Sequence, residues 1–211
     1  MIRVESGVFG ILQNNCYLLT EEESGESALV DCAVYDERMQ AFVRGRNLKY
    51  LLLTHGHFDH IGGAAALRAA TGARVIVQGA DAPMLASGTK NLGAYFRIPC
   101  DAVPYDGTVR DGDILRLGKT PITVIETPGH SPGSCCYLCE NALFSGDTLM
   151  CRSIGRTDFP GGDKAAMESS LAKLRVLGKG VKEPILVYPG HGDRTTLAAE
   201  LLENPYFSRH A

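Results

Sequence analysis

Thr54-His55-Gly56-His57-Phe58-Asp59-His60 puts three imidazoles and a carboxylate on seven consecutive residues, directly after the apolar run Tyr50-Leu51-Leu52-Leu53. Imidazole and carboxylate are ligands for divalent cations such as zinc, and so dense a cluster is hard to hold in place by hydrogen bonding alone. The segment predicts a metal site. Two more histidines, His130 and His191, and the carboxylate Asp147 follow strand-like runs in Gly- and Pro-rich turns, while His210 is left over near the end. Asp31 closes the Ala28-Leu29-Val30 strand, where it could accept a hydrogen bond from a ligand imidazole or serve only as a turn carboxylate. Arg156 and Asp158 could pair to brace the loop near Asp147, the preferred reading, or Arg156 could meet an anionic substrate.

The elements that must position these residues follow from periodicity and turn chemistry. Strands are expected at Ile2 to Phe9, Asn15 to Thr20 and Ser27 to Asp31, then a helix from Asp36, as N-cap, to about Gly45. Lys49 to Leu53 reads as a buried strand, the Ala/Leu-rich stretch Ile61 to Thr71 as one helix ended by Gly72, and Arg74 to Gln78 as a strand. Gly62-Gly63 lacks the Lys-Ser/Thr of a phosphate loop and is assigned to close helix packing. Residues 80 to 107, broken by Pro and Gly, read as a short helix plus loop. The grammar then repeats. Asp113 to Leu117, Ile122 to Glu126, Cys135 to Cys139 and Ala142 to Ser145 are strands, Lys164 to Leu177 a helix, Ile185 to Tyr188 a strand, and Thr196 to Glu203 a helix ended by Asn204-Pro205. The economical arrangement is an α/β (α+β) single domain over residues 1–211: two face-to-face sheets with helices on both outer faces, four αββα layers with metal residues at strand ends.

Composition excludes several roles. A net charge of −3 and no basic stripe argue against nucleic acid as a partner, leaving a small molecule. Nowhere do 18 apolar residues run together, and the start of the chain is unlike a secretory leader, so no membrane partner and a cytoplasmic location are expected. Seven cysteines, an odd number, suit a reducing compartment, and Cys135, Cys136 and Cys139 are read as buried filling.

THGHFDH at 54–60, TPGHSPG at 127–133, FSGDTL at 144–149 and YPGHG at 188–192 together resemble the metallo-β-lactamase superfamily over nearly the whole chain. Within it, the GDTLMCRSIGRTDFPGGD stretch and the ending HGDRTT with ENPYF are similar to the small glyoxalase II-like, or hydroxyacylglutathione hydrolase-like, group. The resemblance implies one metal held by His55, His57 and His130 and a second held by Asp59, His60 and His191, with Asp147 bridging. It makes Asp59 and Asp147 the catalytic carboxylates. The local spacing agrees: residues two apart on an extended turn point the same way, so His55 and His57 can share an ion while Asp59 and His60 face another.

Two divalent ions, zinc by default with iron or manganese as alternatives, would lower the pKa of a bridging water to about 7 and supply hydroxide without a protein base. The expected activity is hydrolysis of a thioester of the hydroxyacylglutathione kind, because a thiolate leaves readily and is a soft ligand for zinc. Larger glyoxalase II enzymes grip glutathione with a C-terminal helical domain; here either segment 80–107 and loop 152–164 take that task or the enzyme accepts other thioesters. The alternatives are a mononuclear-iron persulfide dioxygenase using His55, His130 and Asp147, a lactonase or other small-ester hydrolase, and a non-catalytic domain stapled by metal. Against the last, a closed structural zinc takes four ligands, whereas seven candidates here leave room for water.

Overall fold

The computed structural model describes residues 1–179 and 183–208; His210 lies outside them. In chain order the elements are β1 (Ile2–Phe9), β2 (Asn14–Glu21), β3 (Glu26–Val30), α1 (Glu37–Val43), β4 (Asn47–Leu52), α2 (Phe58–Ile61), α3 (Ala64–Thr71) and β5 (Arg74–Gln78). A 3-10 turn (Ala82–Met84), α4 (Gly93–Phe96) and β6 (Gly107–Val109) complete the first half. The second half holds β7 (Ile114–Leu117), β8 (Thr120–Glu126), β9 (Cys135–Cys139), β10 (Ala142–Gly146), α5 (Lys164–Lys179), β11 (Leu186–Pro189), β12 (Thr195–Thr196), α6 (Leu197–Glu203) and α7 (Pro205–Ser208).

Among the described residues each half makes one six-stranded sheet, ordered β1-β2-β3-β4-β5-β6 and β12-β11-β10-β9-β8-β7. In the first sheet β1, β2 and β3 run antiparallel and β3 to β6 parallel; in the second only β10 and β11 are parallel neighbours. Strand periodicity sorts the side chains into layers. Tyr17 and Leu19 on β2 face the second sheet, together with Val30, Leu52, Tyr137 and Phe144, whereas Cys16 and Leu18 face the helix layer with Met39, Val43 and Leu67. On the far side, Leu143 and Val187 pack beneath Met167, Leu171 and Leu174 of α5 and Leu197 of α6. Both faces of each sheet are thus covered, which is why β2 is buried at all eight positions instead of alternating.

Aromatic packing between the sheets also fixes the strand ends. Tyr17, Phe144 and Tyr188 meet with ring centroids 5.1 to 5.5 Å apart, contacts worth about 0.5–1.5 kcal/mol each beyond burial. The Tyr17 hydroxyl donates to the Pro189 carbonyl at 2.7 Å and the Tyr137 hydroxyl to the Leu53 carbonyl at 2.9 Å. These two carbonyls stand just before His191 and His55, so the core holds the backbone from which both imidazoles project.

The expected Ile61 to Thr71 helix is instead two pieces, broken at Gly62 and Gly63. Side chains there would collide with the β3–α1 connection: a Cβ on Gly62 would sit 2.6 Å from the Ala33 carbonyl oxygen, and one on Gly63 2.4 Å from the Val34 carbonyl carbon. The Gly63 amide instead donates to the Cys32 carbonyl at 2.8 Å, so tertiary contact overrides Ala-rich helix propensity. The α1 helix stops at Val43, and Gly45 then turns with φ +72°. Strands β6 and β12, of three and two residues, are too short to leave a periodic signal. All seven cysteines are free, and Cys135, Cys136 and Cys139 are buried as filling. No helix among the described residues is long and apolar enough to cross a membrane.

Candidate metal centre

Connections leaving one edge of the sandwich supply the site: His55, His57, Asp59 and His60 after β4, His130 after β8, Asp147 after β10 and His191 after β11. The structure brings all seven together. Donor atoms lie within 4.8 Å of one another in three overlapping groups: His55, His57 and His130; His55, His60 and Asp147; and Asp59, His60 and His191. Asp147 stands between the outer groups, one carboxylate oxygen 3.5 Å from His60 Nε2 and the other 3.4 Å from His130 Nε2 and 3.7 Å from His191 Nε2.

The far nitrogen of most of these imidazoles is held by the protein. His60 Nδ1 lies 2.8 Å from Asp31 Oδ2, and His55 Nδ1 3.1 Å from Thr54 Oγ1, which itself donates to Asp31 Oδ2 at 2.8 Å. His130 Nδ1 lies 2.8 Å from the Arg156 carbonyl, and His191 Nδ1 3.1 Å from the Leu12 carbonyl. Each contact gives Nδ1 an acceptor and leaves Nε2 as the nitrogen that faces the cluster, the orientation a metal ligand needs. His57 differs, its Nδ1 lying 2.9 Å from His130 Nε2.

Electrostatics divides the cluster. Burial, with the neighbouring imidazoles, drives His55 well below the ordinary histidine range and His57 to about 3, so both are neutral. Burial also acts against a charged His60, but Asp147, Asp59 and Asp31 outweigh it and lift that imidazole to about 10. Burial opposes the Asp59 charge, yet the fields of His60 and His191 win and hold the carboxyl below its usual range. His55 Nε2, His57 Nε2, His60 Nε2 and Asp147 Oδ1 are buried with no hydrogen-bond partner. Each such group costs about 1–3 kcal/mol, and four in one cluster fit a cation as their common partner.

Asp31 touches the site through both oxygens, receiving the Thr54 amide at 2.8 Å on Oδ1 as well as the contacts on Oδ2. Arg156 and Asp158 pair at 2.7 and 2.9 Å, but both are exposed, and the guanidinium also lies 4.3 Å over the Phe159 ring. The loop is tied to the site by its backbone: the Gly155 amide donates to the Asp147 carbonyl at 2.7 Å, and the Arg156 carbonyl meets His130.

Sequence reasoning missed Asp81 and Asn14. Asp81 is fully buried and accepts from the Gly56 amide at 2.8 Å, the Gly133 amide at 2.6 Å and Ser131 Oγ at 2.6 Å, tying the 54–60 loop to the 127–133 loop. Burial raises its carboxyl despite these donors. The available signal was position, a carboxylate just past the end of β5 like Asp31 past β3. Asn14 Nδ2 donates to Asp59 at 3.3 Å, and its neighbour Asn15 donates to the Pro189 and Gly192 carbonyls at 3.0 and 2.8 Å.

Residues 9–191 match the profile of the metallo-beta-lactamase superfamily. The hydroxyacylglutathione hydrolase GloC of Haemophilus influenzae is 32% identical over 202 residues, covering 93% of each chain. Among solved structures, the BLEG-1 B3 metallo-beta-lactamase superposes with a TM-score of 0.89 at 31% identity, over 98% of this chain and 100% of that one. A di-iron-bound form of TTHA1623 gives 0.83 at 33% identity, over 96% and 100%. With the αββα layers and the His/Asp cluster at the sandwich edge, these matches place the chain in the metallo-beta-lactamase superfamily.

Proposed function

We propose that the protein is a dinuclear metal-dependent thioesterase acting on hydroxyacylglutathione-like thioesters. The observation that carries the reading is the convergence of seven His and Asp side chains, four of whose buried ligand atoms have no hydrogen-bond partner. His55, His57 and His130 would hold one ion, Asp59, His60 and His191 the other, and Asp147 would reach both. Two divalent cations bound there would supply hydroxide at neutral pH and positive charge to stabilise an oxyanion. The protein's own part is orientation. Asp31, Thr54, Leu12 and Arg156 fix the imidazole tautomers, and Asp81 keeps the two ligand loops in register. With cations bound, every titratable side chain in the cluster would be engaged in holding them, which would leave none to protonate an amine leaving group. A thiolate needs no such acid, which favours a thioester over an amide. The likeness to the hydrolase GloC supports the same substrate class. Zinc suits the donor set, and the di-iron form of TTHA1623 makes iron the second choice.

The likeness to BLEG-1 favours a second reading, hydrolysis of a lactam or lactone by the same cluster. Metal analysis of purified protein combined with S-lactoylglutathione hydrolysis tests the first. Two metals per chain and a loss of at least about a hundredfold in His57→Ala are expected. Full activity in that variant refutes the assignment, and turnover of a lactone or β-lactam without thioester turnover selects the second reading. Oxygen uptake with glutathione persulfide and one iron per chain would select a dioxygenase instead.

A further inference from the structure

Beside the candidate metal centre, on the Asp59 side, runs a cleft of about 190 Å³ whose lining includes Asn14 and Asp59. The rest of its lining is largely apolar, with Ile11 at the β1–β2 hairpin tip, Val34 after β3, Phe58 on α2, and Ile98, Pro99 and Cys100 after α4. No Lys or Arg lines it. We infer that this cleft receives an uncharged, apolar arm of the thioester substrate, an inference that rests on the thioesterase reading and specifies its substrate class.

Three observations carry it. The cleft is continuous with the candidate centre, because Asp59 belongs both to its wall and to the group formed with His60 and His191. A substrate carbonyl placed against those side chains would therefore have a neighbouring arm directed into the cleft. An arm bearing a carboxylate would find no Lys or Arg counter-ion in this lining, whereas a hydrocarbon arm matches it. Ile11 is 74% exposed at the hairpin tip, apolar surface that a bound hydrocarbon arm would cover at about 25 cal/mol per Å². Leu12, the next residue, contacts His191 through its carbonyl, so the tip that covers the arm also orients a candidate ligand.

The test uses the metal-loaded protein and two thioester series, one extending the acyl arm from acetyl to hexanoyl on a single thiol, the other extending an alkyl thiol on a single acyl group. In one series KM is expected to fall by up to about fourfold per methylene, and the series that responds identifies which arm occupies the cleft. Ile98→Lys and Ile11→Lys should flatten that gradient. A readout independent of turnover is alkylation of Cys100: hexan-1-ol should slow its reaction with N-ethylmaleimide while leaving Cys151 unchanged. KM flat in both series, a gradient untouched by the lysine variants, or an unprotected Cys100 overturns the inference. Absence of all thioester turnover in protein carrying two metals overturns the thioesterase reading instead, and protection of Cys100 still reports on the cleft.

Discussion

Single atoms decide whether the cluster can form. Gly190 lies so close to it that a Cβ there would stand 2.3 Å from Asp147 Oδ1 and 2.7 Å from His60 Cε1. Gly190→Ala must push apart two groups that need to converge, so bound metal is expected to fall at least about tenfold while far-UV circular dichroism stays native. Asp81→Ala strands the Gly56 and Gly133 amides in the interior and leaves the Ser131 hydroxyl with Ser134 Oγ alone. At about 1–3 kcal/mol per stranded group, partly offset by water entry, a loss of roughly 2–5 kcal/mol should appear in urea unfolding, with a smaller loss for Asp81→Asn. Asp81 does not stand out in the chain, and Gly190 does so only as part of YPGHG. Their importance comes from what surrounds them, whereas THGHFDH announces its chemistry because four candidate ligands are neighbours in sequence.

At the scale of elements, loop-to-strand ties matter more than the strands' own propensities. Arg68 on α3 meets Asp106, just before β6, through Nε at 3.0 Å and a second nitrogen at 2.6 Å, and the same carboxylate takes the Val75 amide of β5 at 2.9 Å. The Arg68 hydrogen bonds, then the Val75 amide, hold the Asp106 carboxyl down at about 2. A depressed folded-state pKa gives stability that is complete above the ordinary aspartate value near 3.9 and is lost as pH falls through about 2. The stability gap between the wild type and Asp106→Asn should therefore be constant above about pH 5 and close between about pH 4 and 2 in denaturant titrations. Most elements were legible in the sequence because period-2 and period-3.6 patterns are local properties. The Gly62-Gly63 break, β6 and β12 were not, because each depends on a partner strand or connection distant in sequence.

For the molecule as a whole, the sandwich edge gathers carboxylates and imidazoles whose mutual burial is costly without cations. Metal bound to the folded state alone must stabilise it by mass action. Chelation is accordingly expected to lower Tm, restoration of zinc or iron to recover it, and His57→Ala to blunt the recovery; calorimetry of the apo and reloaded protein checks this. A Tm indifferent to metal would mean that the cluster tolerates its own unpartnered donors.

The sequence by itself determined the first ligand cluster, the alternation of strands and helices, and the layered architecture those patterns can satisfy. Its resemblance to a family supplied the roles of His130, Asp147 and His191, which no spacing rule could connect to residue 55 across such lengths of chain. Only the tertiary structure decided which backbone carbonyls orient the imidazoles, that Asp81 joins the two ligand loops, and that the Arg156–Asp158 pair lies on the surface while the Gly155 and Arg156 backbone makes the contacts. The physical reason is that a backbone carbonyl is the same group at every residue. What it touches depends on where the fold brings it, and that is a relation between segments far apart in the chain.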